Sequence, residues 1–442
     1  VWLALRTTVF EQDTRGLAWL AAAAVVVTLT IAVQQQHRAA VKIADPRGGH
    51  ISDFDRWMLM TPRFLHDHAD YINDDLPTPP ISLIVLAPFA AMSRPHAQFA
   101  WVCAKLPAAG LVFFLAAAIV ARAGVPLTPP AIALIIAGWW LAVVVDMQEG
   151  QTNFLALMPL VAGLHLAQRE HPPSDLGAGA LIGLGVAMKV TPVIFVAFAL
   201  WKRRWLLAAA SIVSVALWSL AVPALAFGWD QSLRWFEQWT RIMIVPFVAQ
   251  GKVVYATSQS IPSFVLRLLT TTPAFESHRG GVTEGHFMNV LALGDGAVRQ
   301  IARLITAVVG VAGLWWTRRP LRTLSSRRYV FEIAAVSAFM LWFSERTWIH
   351  HYVSFILMLA AAGMVLSDPA QPESARRRVR AALLAFAAIT FFASDAGKMF
   401  GPDGIDWAKA IGVYLWPSVI VTAAVLRAAA GPSAAGEIGE IT

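Results

Sequence analysis

Apolar runs long enough to cross a bilayer recur along most of this 442-residue chain, and no other feature narrows its fold as much. A hydrocarbon core about 30 Å thick needs about 17–25 residues of helix to span it, because lipid offers no partner to a bare peptide group. Such runs lie near 16–33, 98–121, 130–146, 151–168, 204–227, 299–317, 329–343, 349–366, 379–395 and 409–427. The first lacks the cleavage-site chemistry of a secretory signal and reads as an uncleaved span. Two shorter runs, 176–188 and 192–201, flank "MKVTP". There Pro192 removes a backbone donor and disfavours helix at Thr191, which predicts one helix broken at that point. The period-two alternation of a β-barrel is absent. The expected fold is an all-α polytopic membrane protein with about 11–13 transmembrane helices. It forms one membrane-embedded unit over 1–442. Long loops over 34–97 and 228–298 carry short amphipathic helices, and 428–442 reads as a flexible tail.

Charge then sets orientation. Charged residues make up only 14% of the chain, against roughly 25% in a soluble domain. The net charge of +8 does not signal nucleic-acid binding, because its arginines gather in short loops. "WKRRW" (201–205), "TRRPLRTLSSRRY" (317–329) and "ESARRRVR" (373–380) belong in the cytoplasm by the positive-inside rule. With these spans the N-terminus, Arg122, Arg169 and the tail join them. The opposite side collects 34–97, "DMQEGQTN" (146–153), the turn at Lys189, 228–298, "SERTWIHH" (344–351) and 396–408. Parity then requires 79–93 to dip into the membrane and return. Alternatively 79–93 spans and 176–201 is a single helix, which puts "DMQEGQTN" in the cytoplasm. We take the first arrangement, since that stretch is acidic and its neighbours across the membrane carry arginine. The single Cys103 can build neither a disulfide nor a zinc framework.

Several polar residues stand out against this background. Ser52 is placed to cap a short amphipathic helix through Trp57, Met58 and Phe64, with Asp55 in its first turn. Asp53 and Asp55 are two apart, so they face different directions and do not form a paired acid and base. In "EGQTN", Glu149, Gln151 and Asn153 bring hydrogen-bonding groups suited to sugar hydroxyls to a membrane boundary. Helix capping is the simpler use for them. Lys189 is a cation among apolar neighbours, which snorkels, pairs or meets an anion such as phosphate. "SERTWIHHY" holds Glu345, Arg346, Trp348, His350 and His351. Adjacent histidines diverge by about 100° on a helix, against a zinc site. No cluster of oxygen ligands for a divalent metal is evident either. The glycine-rich stretch 273–296 reads as a mobile loop over a cavity.

Six short motifs follow one another in an order that resembles glycosyltransferase family 87, of the GT-C superfamily of polyprenyl-phosphate-sugar-dependent transferases. They are "SDF" (52–54), "YINDDLPTPPISLIVLAPF" (71–89), "EGQTN" (149–153), "GLGVAMKVTPVIF" (183–195), "SQSI" (258–261) and "RTWIHHY" (346–352). Two positions depart from the family pattern. Thr78 stands where an aromatic usually precedes the two prolines, and Glu345-Arg346-Thr347 replaces a frequent Ser-Pro pair. The resemblance implies a GT-C fold and inverting transfer of mannose or arabinofuranose to a lipid-linked glycan or glycolipid. The donor is a polyprenyl-phosphate sugar, the enzyme sits in the cell membrane, and the reaction takes place on its extracytoplasmic side. It implies Asp53 as the base. Lys189, then His350 or His351, then Arg346 would receive the donor phosphate. Gln151, Asn153, Glu149, Tyr71, Gln259 and Trp348 would orient substrates. Some GT-C relatives use a divalent metal; no cofactor is implied with certainty.

Two rivals remain. A transporter or flippase of amphiphiles usually shows internal repeats and broken helices near the midplane. This chain has one broken segment and no convincing repeat. A polymerase or ligase acting on polyprenyl-diphosphate glycans would favour arginine in the extracytoplasmic loops, where this chain has little.

Overall fold

A computed structural model describes residues 26, 29–41, 52–67, 69–74, 76–250, 257–279 and 281–430. The expected first span and the tail lie largely outside these residues. Apart from one β-hairpin, the described elements are helical. Among the described residues, five helices are long and apolar enough to cross a membrane: Arg94–Arg122, Pro129–Glu149, Trp205–Phe227, Asp295–Trp316 and Ile349–Ser367. A sixth forms if Gly404–Ala410 and Leu415–Ala429, bent by 47°, count as one span. The chain is thus a polytopic α-helical membrane protein. Other expected spans are occupied by helices below that length, such as Asn153–Ala167 and Arg327–Phe343. Ile81–Ala90 has ten residues. At about 1.5 Å per residue it reaches about 15 Å, half of a hydrocarbon core.

The chain falls into two compact units. One comprises Val1–Ile119 and Val143–Pro246, the other Val120–Ala142 and Phe247–Thr442. In the first, the helix Asp53–Asp67 begins where Ser52 predicts. The Ser52 hydroxyl accepts from the Asp55 N–H at 3.2 Å. Its apolar side, Phe54, Trp57, Met58 and Phe64, is buried in a cluster with Tyr71, Leu83, Leu86, Trp101, Trp235 and Trp239. Phe54 stacks on Trp101 with centroids 4.8 Å apart. Asp55, buried at 3% exposure, lies 3.4 Å from Arg94.

The break at "MKVTP" is present. Pro172–Met188 and Val193–Trp201 are separate helices, and Lys189 between them is extended at φ −158°, ψ 125°. Small residues fix where the first of these ends. A Cβ on Gly163 or Gly185 would meet the Ala178 or Ala156 carbonyl at 2.7 or 2.8 Å. On the other flank, one on Gly179 would meet the Leu207 carbonyl at 2.6 Å. Close backbone approach through small residues is how membrane helices pack. It clamps Pro172–Met188 between Asn153–Ala167 and the helix starting at Trp205, and so sets the position of Lys189. Near its other end Asp175 is held by Arg204, whose Nη2 lies 3.0 Å from both carboxylate oxygens.

The second unit is built around Ile349–Ser367. This segment opens as a 3-10 helix over Ile349–Phe355 and continues as α-helix. Trp139 ties to it by donating to the Val353 carbonyl at 2.8 Å. The stretch 273–296, expected as a mobile loop, contains an antiparallel hairpin, Phe275–Arg279 with Val282–His286. By contrast, Asp295–Trp316 exposes Leu304, Val308, Val311 and Trp315, an apolar face suited to lipid.

Candidate active site

The first unit gathers its polar side chains at one turn. The helix Pro129–Glu149 stops at Glu149, and Gly150 takes φ +67°, a left-handed conformation that costs a residue with a Cβ. There is also no room for one: it would collide with the Cβ of Phe54. The turn is therefore pressed onto the first residues of the helix Asp53–Asp67. Trp101 holds it by donating to the Gly150 carbonyl at 2.7 Å.

This contact brings Gln151 to Asp53. The Gln151 amide donates to Asp53 Oδ2, while Arg56 donates to Oδ1 at 3.1 Å. The Asp53 side chain remains 32% exposed, so the carboxylate is oriented yet reachable. Two residues on, Asn153 begins the next helix and its Oδ1 accepts from Lys189 Nζ. Asn153 Nδ2 donates to Asp146 Oδ2 at 2.8 Å. The other oxygen of Asp146 meets Lys105 Nζ at 2.7 Å, with both side chains fully buried. Glu149, partly exposed, is the last residue of its helix. One turn thus hands an amide to a carboxylate and another to an ammonium group. Asp53, Gln151, Asn153 and Lys189 belong to a single constellation.

Tyr71 is in this unit but not at that turn. It is fully buried against Phe64 and Trp235, and burial pushes its hydroxyl well above the usual phenol range.

The remaining candidates lie in the second unit. Trp348 donates its backbone N–H to His351 Nδ1 at 2.9 Å, which leaves the proton of a neutral ring on Nε2. His350 and His351 are buried at 6% and 9% exposure and pack edge to face at 4.5 Å. The Arg346 guanidinium lies 4.7 Å from the Phe247 ring and 5.2 Å from that of Trp348, a cation–π arrangement. Gln259 is fully buried. It donates to the Thr257 and Lys409 carbonyls, both at 2.8 Å, and accepts from the Tyr414 N–H at 3.1 Å. Its amide is committed to backbone. Glu345 lines a cavity of about 250 Å³ with Arg299 and Arg303. Burial raises its carboxyl above the usual range, against a smaller opposing pull from Arg303. Among the described residues no three His, Cys, Asp or Glu side chains cluster as a metal site.

The sequence profile of glycosyltransferase family 87 matches residues 78–344, more than half of the chain. The chain belongs to glycosyltransferase family 87. The matched segment includes the 149–153 turn, Lys189 and Gln259; it begins after Asp53 and ends before Arg346. A polyprenol-phosphate-mannose-dependent alpha-(1-2)-phosphatidylinositol mannoside mannosyltransferase of Mycolicibacterium smegmatis is 28% identical over 316 residues, 66% of this chain and 62% of that protein. A protein of the same description from Mycobacterium tuberculosis is 25% identical over 329 residues, 70% of this chain and 65% of its own length. The chain spans just under two thirds of each of these family relatives.

Two residues that support the constellation, Asp146 and Lys105, were not singled out from sequence. Lys105 carries the same signal as Lys189, a lysine inside an apolar run. Its partner lies 41 residues away, beyond any local motif.

Proposed function

We propose that the chain is a polyprenyl-phosphate-sugar-dependent glycosyltransferase that moves mannose to a lipid-linked glycan or glycolipid. It works with inversion, on the extracytoplasmic side of the cell membrane. The observation that carries this reading is the single turn whose Gln151 holds the Asp53 carboxylate and whose Asn153 holds the Lys189 ammonium. Transfer between a phosphodiester donor and a hydroxyl acceptor needs these two groups. Family membership supports the reaction class, and the names of the two mycobacterial relatives support mannose over arabinofuranose. The positive-inside assignment of the basic loops supports the side.

In this mechanism an acceptor hydroxyl approaches the anomeric carbon of the donor. Asp53 takes the hydroxyl proton as the new carbon–oxygen bond forms. The bond from the anomeric carbon to the phosphate oxygen breaks, and polyprenyl phosphate leaves with the electron pair. Lys189 meets the charge that develops on that oxygen. A cation suffices there, because a phosphate monoester is a good leaving group without a strong acid. Tyr71 and Gln259, each buried within its own unit, support the framework rather than touch a sugar.

The test offers labelled polyprenyl-phosphate-mannose, and separately polyprenyl-phosphate-arabinofuranose, to native lipid extract. Wild type and Asp53→Asn are run together. We expect label from mannose, and a variant that binds donor normally but transfers about 10²–10⁴-fold more slowly. Full activity in Asp53→Asn would remove the base from the mechanism. Failure of wild type to bind either donor would remove the reaction.

A further inference from the structure

We infer that Asp146 and Lys105 are positioning residues that act through Asn153 to aim the Lys189 ammonium. All three protons of Lys105 are used within the protein. They go to Asp146 Oδ1 at 2.7 Å, the Asp146 carbonyl at 2.8 Å and the Gln151 carbonyl at 3.1 Å. Lys105 is therefore not a ligand for a substrate phosphate; it fastens a transmembrane helix to both ends of the 146–151 turn. Asp146 turns its remaining oxygen on Asn153 Nδ2.

That contact has a directional consequence. An ionised carboxylate can only accept hydrogen bonds, so Asn153 must present its NH₂ to Asp146. Its carbonyl oxygen is then turned the other way, onto Lys189 Nζ. With the amide reversed, an NH₂ would face the ammonium, two donors against each other. The buried acid thus fixes which end of a neutral amide meets the cation. A buried ion pair is a poor source of stability, since apolar packing of similar volume does as well or better. A role in orientation gives this pair something apolar residues cannot supply.

The consequence for function rests on the transferase reading, because it is the donor phosphate that the aimed ammonium would meet. The geometry itself can be tested without that reading. In Asp146→Asn the new amide keeps an oxygen for Lys105 but offers NH₂ to Asn153, reversing it and releasing Lys189. Combining Asp146→Asn with Asn153→Asp exchanges acid and amide at constant net charge. The carboxylate at 153 then accepts from both sides, and Lys189 is held again.

Full-length protein in lipid nanodiscs is treated with an amine-reactive ester, and the modification rate of Lys189 is read by peptide mass spectrometry. Thermal unfolding reports whether each variant is folded. We expect Asp146→Asn to label at least fivefold faster than wild type, and the exchanged double variant within twofold of it. A folded Asp146→Asn that labels at the wild-type rate overturns the inference. So does a double variant that labels as fast as the single. If the single variant does not fold, a double variant that folds and labels like wild type upholds the inference. A double variant that also fails to fold makes the pair a scaffold only and overturns it.

In the activity arm, the KM for polyprenyl-phosphate-mannose rises about tenfold in Asp146→Asn and returns in the double variant. Lys189→Met sets the scale for that arm. If it leaves donor KM at the wild-type value, the phosphate assignment of Lys189 fails while the labelling result on Asp146 still stands.

Discussion

The turn at 149–153 and the segment 344–352 are both polar stretches in an apolar chain, but they use their polarity differently. Around the turn, side chains bond to side chains: Gln151 to Asp53, Asn153 to Lys189 and to Asp146, Asp146 to Lys105. Around 344–352, several hydrogen bonds run between side chain and backbone. Ser258 Oγ accepts from the Thr347 N–H at 2.9 Å, the Tyr352 hydroxyl donates to the Gln259 carbonyl at 3.0 Å, and His351 caps the Trp348 N–H. A side chain bound to backbone is spent on holding a shape. One bound to another side chain, with a carboxylate still part-exposed at the end of the chain of contacts, can respond to a ligand. By this criterion the turn is the part suited to the proposed chemistry, and the second segment is largely framework.

The sharpest test sets Asp53→Asn beside Gln259→Leu. The first change, already described, removes about 10²–10⁴-fold of rate while folding is unaffected. The second deletes three hydrogen bonds to backbone, one buried and two part-buried, and each orphaned partner costs about 1 kcal/mol or more. We expect Gln259→Leu to destabilise by roughly 2–4 kcal/mol, measured by thermal or denaturant unfolding in detergent. If it unfolds at the wild-type midpoint and yet loses transfer, Gln259 touches substrate and the contrast between the two regions collapses.

Next in size is Gly150→Ala, which combines a positive φ with a collision against Phe54. The helix Asp53–Asp67 and the turn must part, and Gln151 then no longer holds Asp53. A misplacement of about 1 Å can cost about 10²-fold, so we expect a kcat loss of roughly 10–100-fold with donor binding at Lys189 less affected. Equal losses in both would mean that the turn moves as a block and that Asp53 is not aimed separately.

How much of this was legible beforehand divides along the same line. The Ser52 cap and the break at "MKVTP" were readable because capping and proline act on neighbouring residues. The core of the expected spans was readable because hydropathy needs only a window. The Lys105–Asp146 pair was not, since its two halves lie on different helices. The commitment of the Gln259 amide was hidden for the same reason, its acceptor at Lys409 being 150 residues distant. The hairpin was legible in local chemistry. Two residues, Gly280 and Gly281, separate "FESHR" from "VTEGH", and Gly-Gly between two short runs is a hairpin turn signal. That signal is independent of the mobility expected for 273–296.

The smallest expected effect probes the framework side of the contrast through Glu345. Burial raises its carboxyl above the usual carboxylate range despite the attraction of Arg303. A carboxyl with a folded-state pKa above the unfolded one binds its proton more tightly when folded. Its contribution is most favourable below the unfolded pKa and declines as pH rises through the folded one. Above that range the wild type carries a buried charge that Glu345→Gln lacks. The variant should therefore match wild type in unfolding midpoint at acid pH and exceed it by about 1–2 °C at neutral pH and above. Transfer should change little, because the carboxylate of Glu345 has no part in the proposed chemistry. A variant less stable than wild type at neutral pH would mean that the pair with Arg303 outweighs burial. A large loss of transfer would instead move Glu345 from the framework to the substrate, and with it the cavity it shares with Arg299 and Arg303.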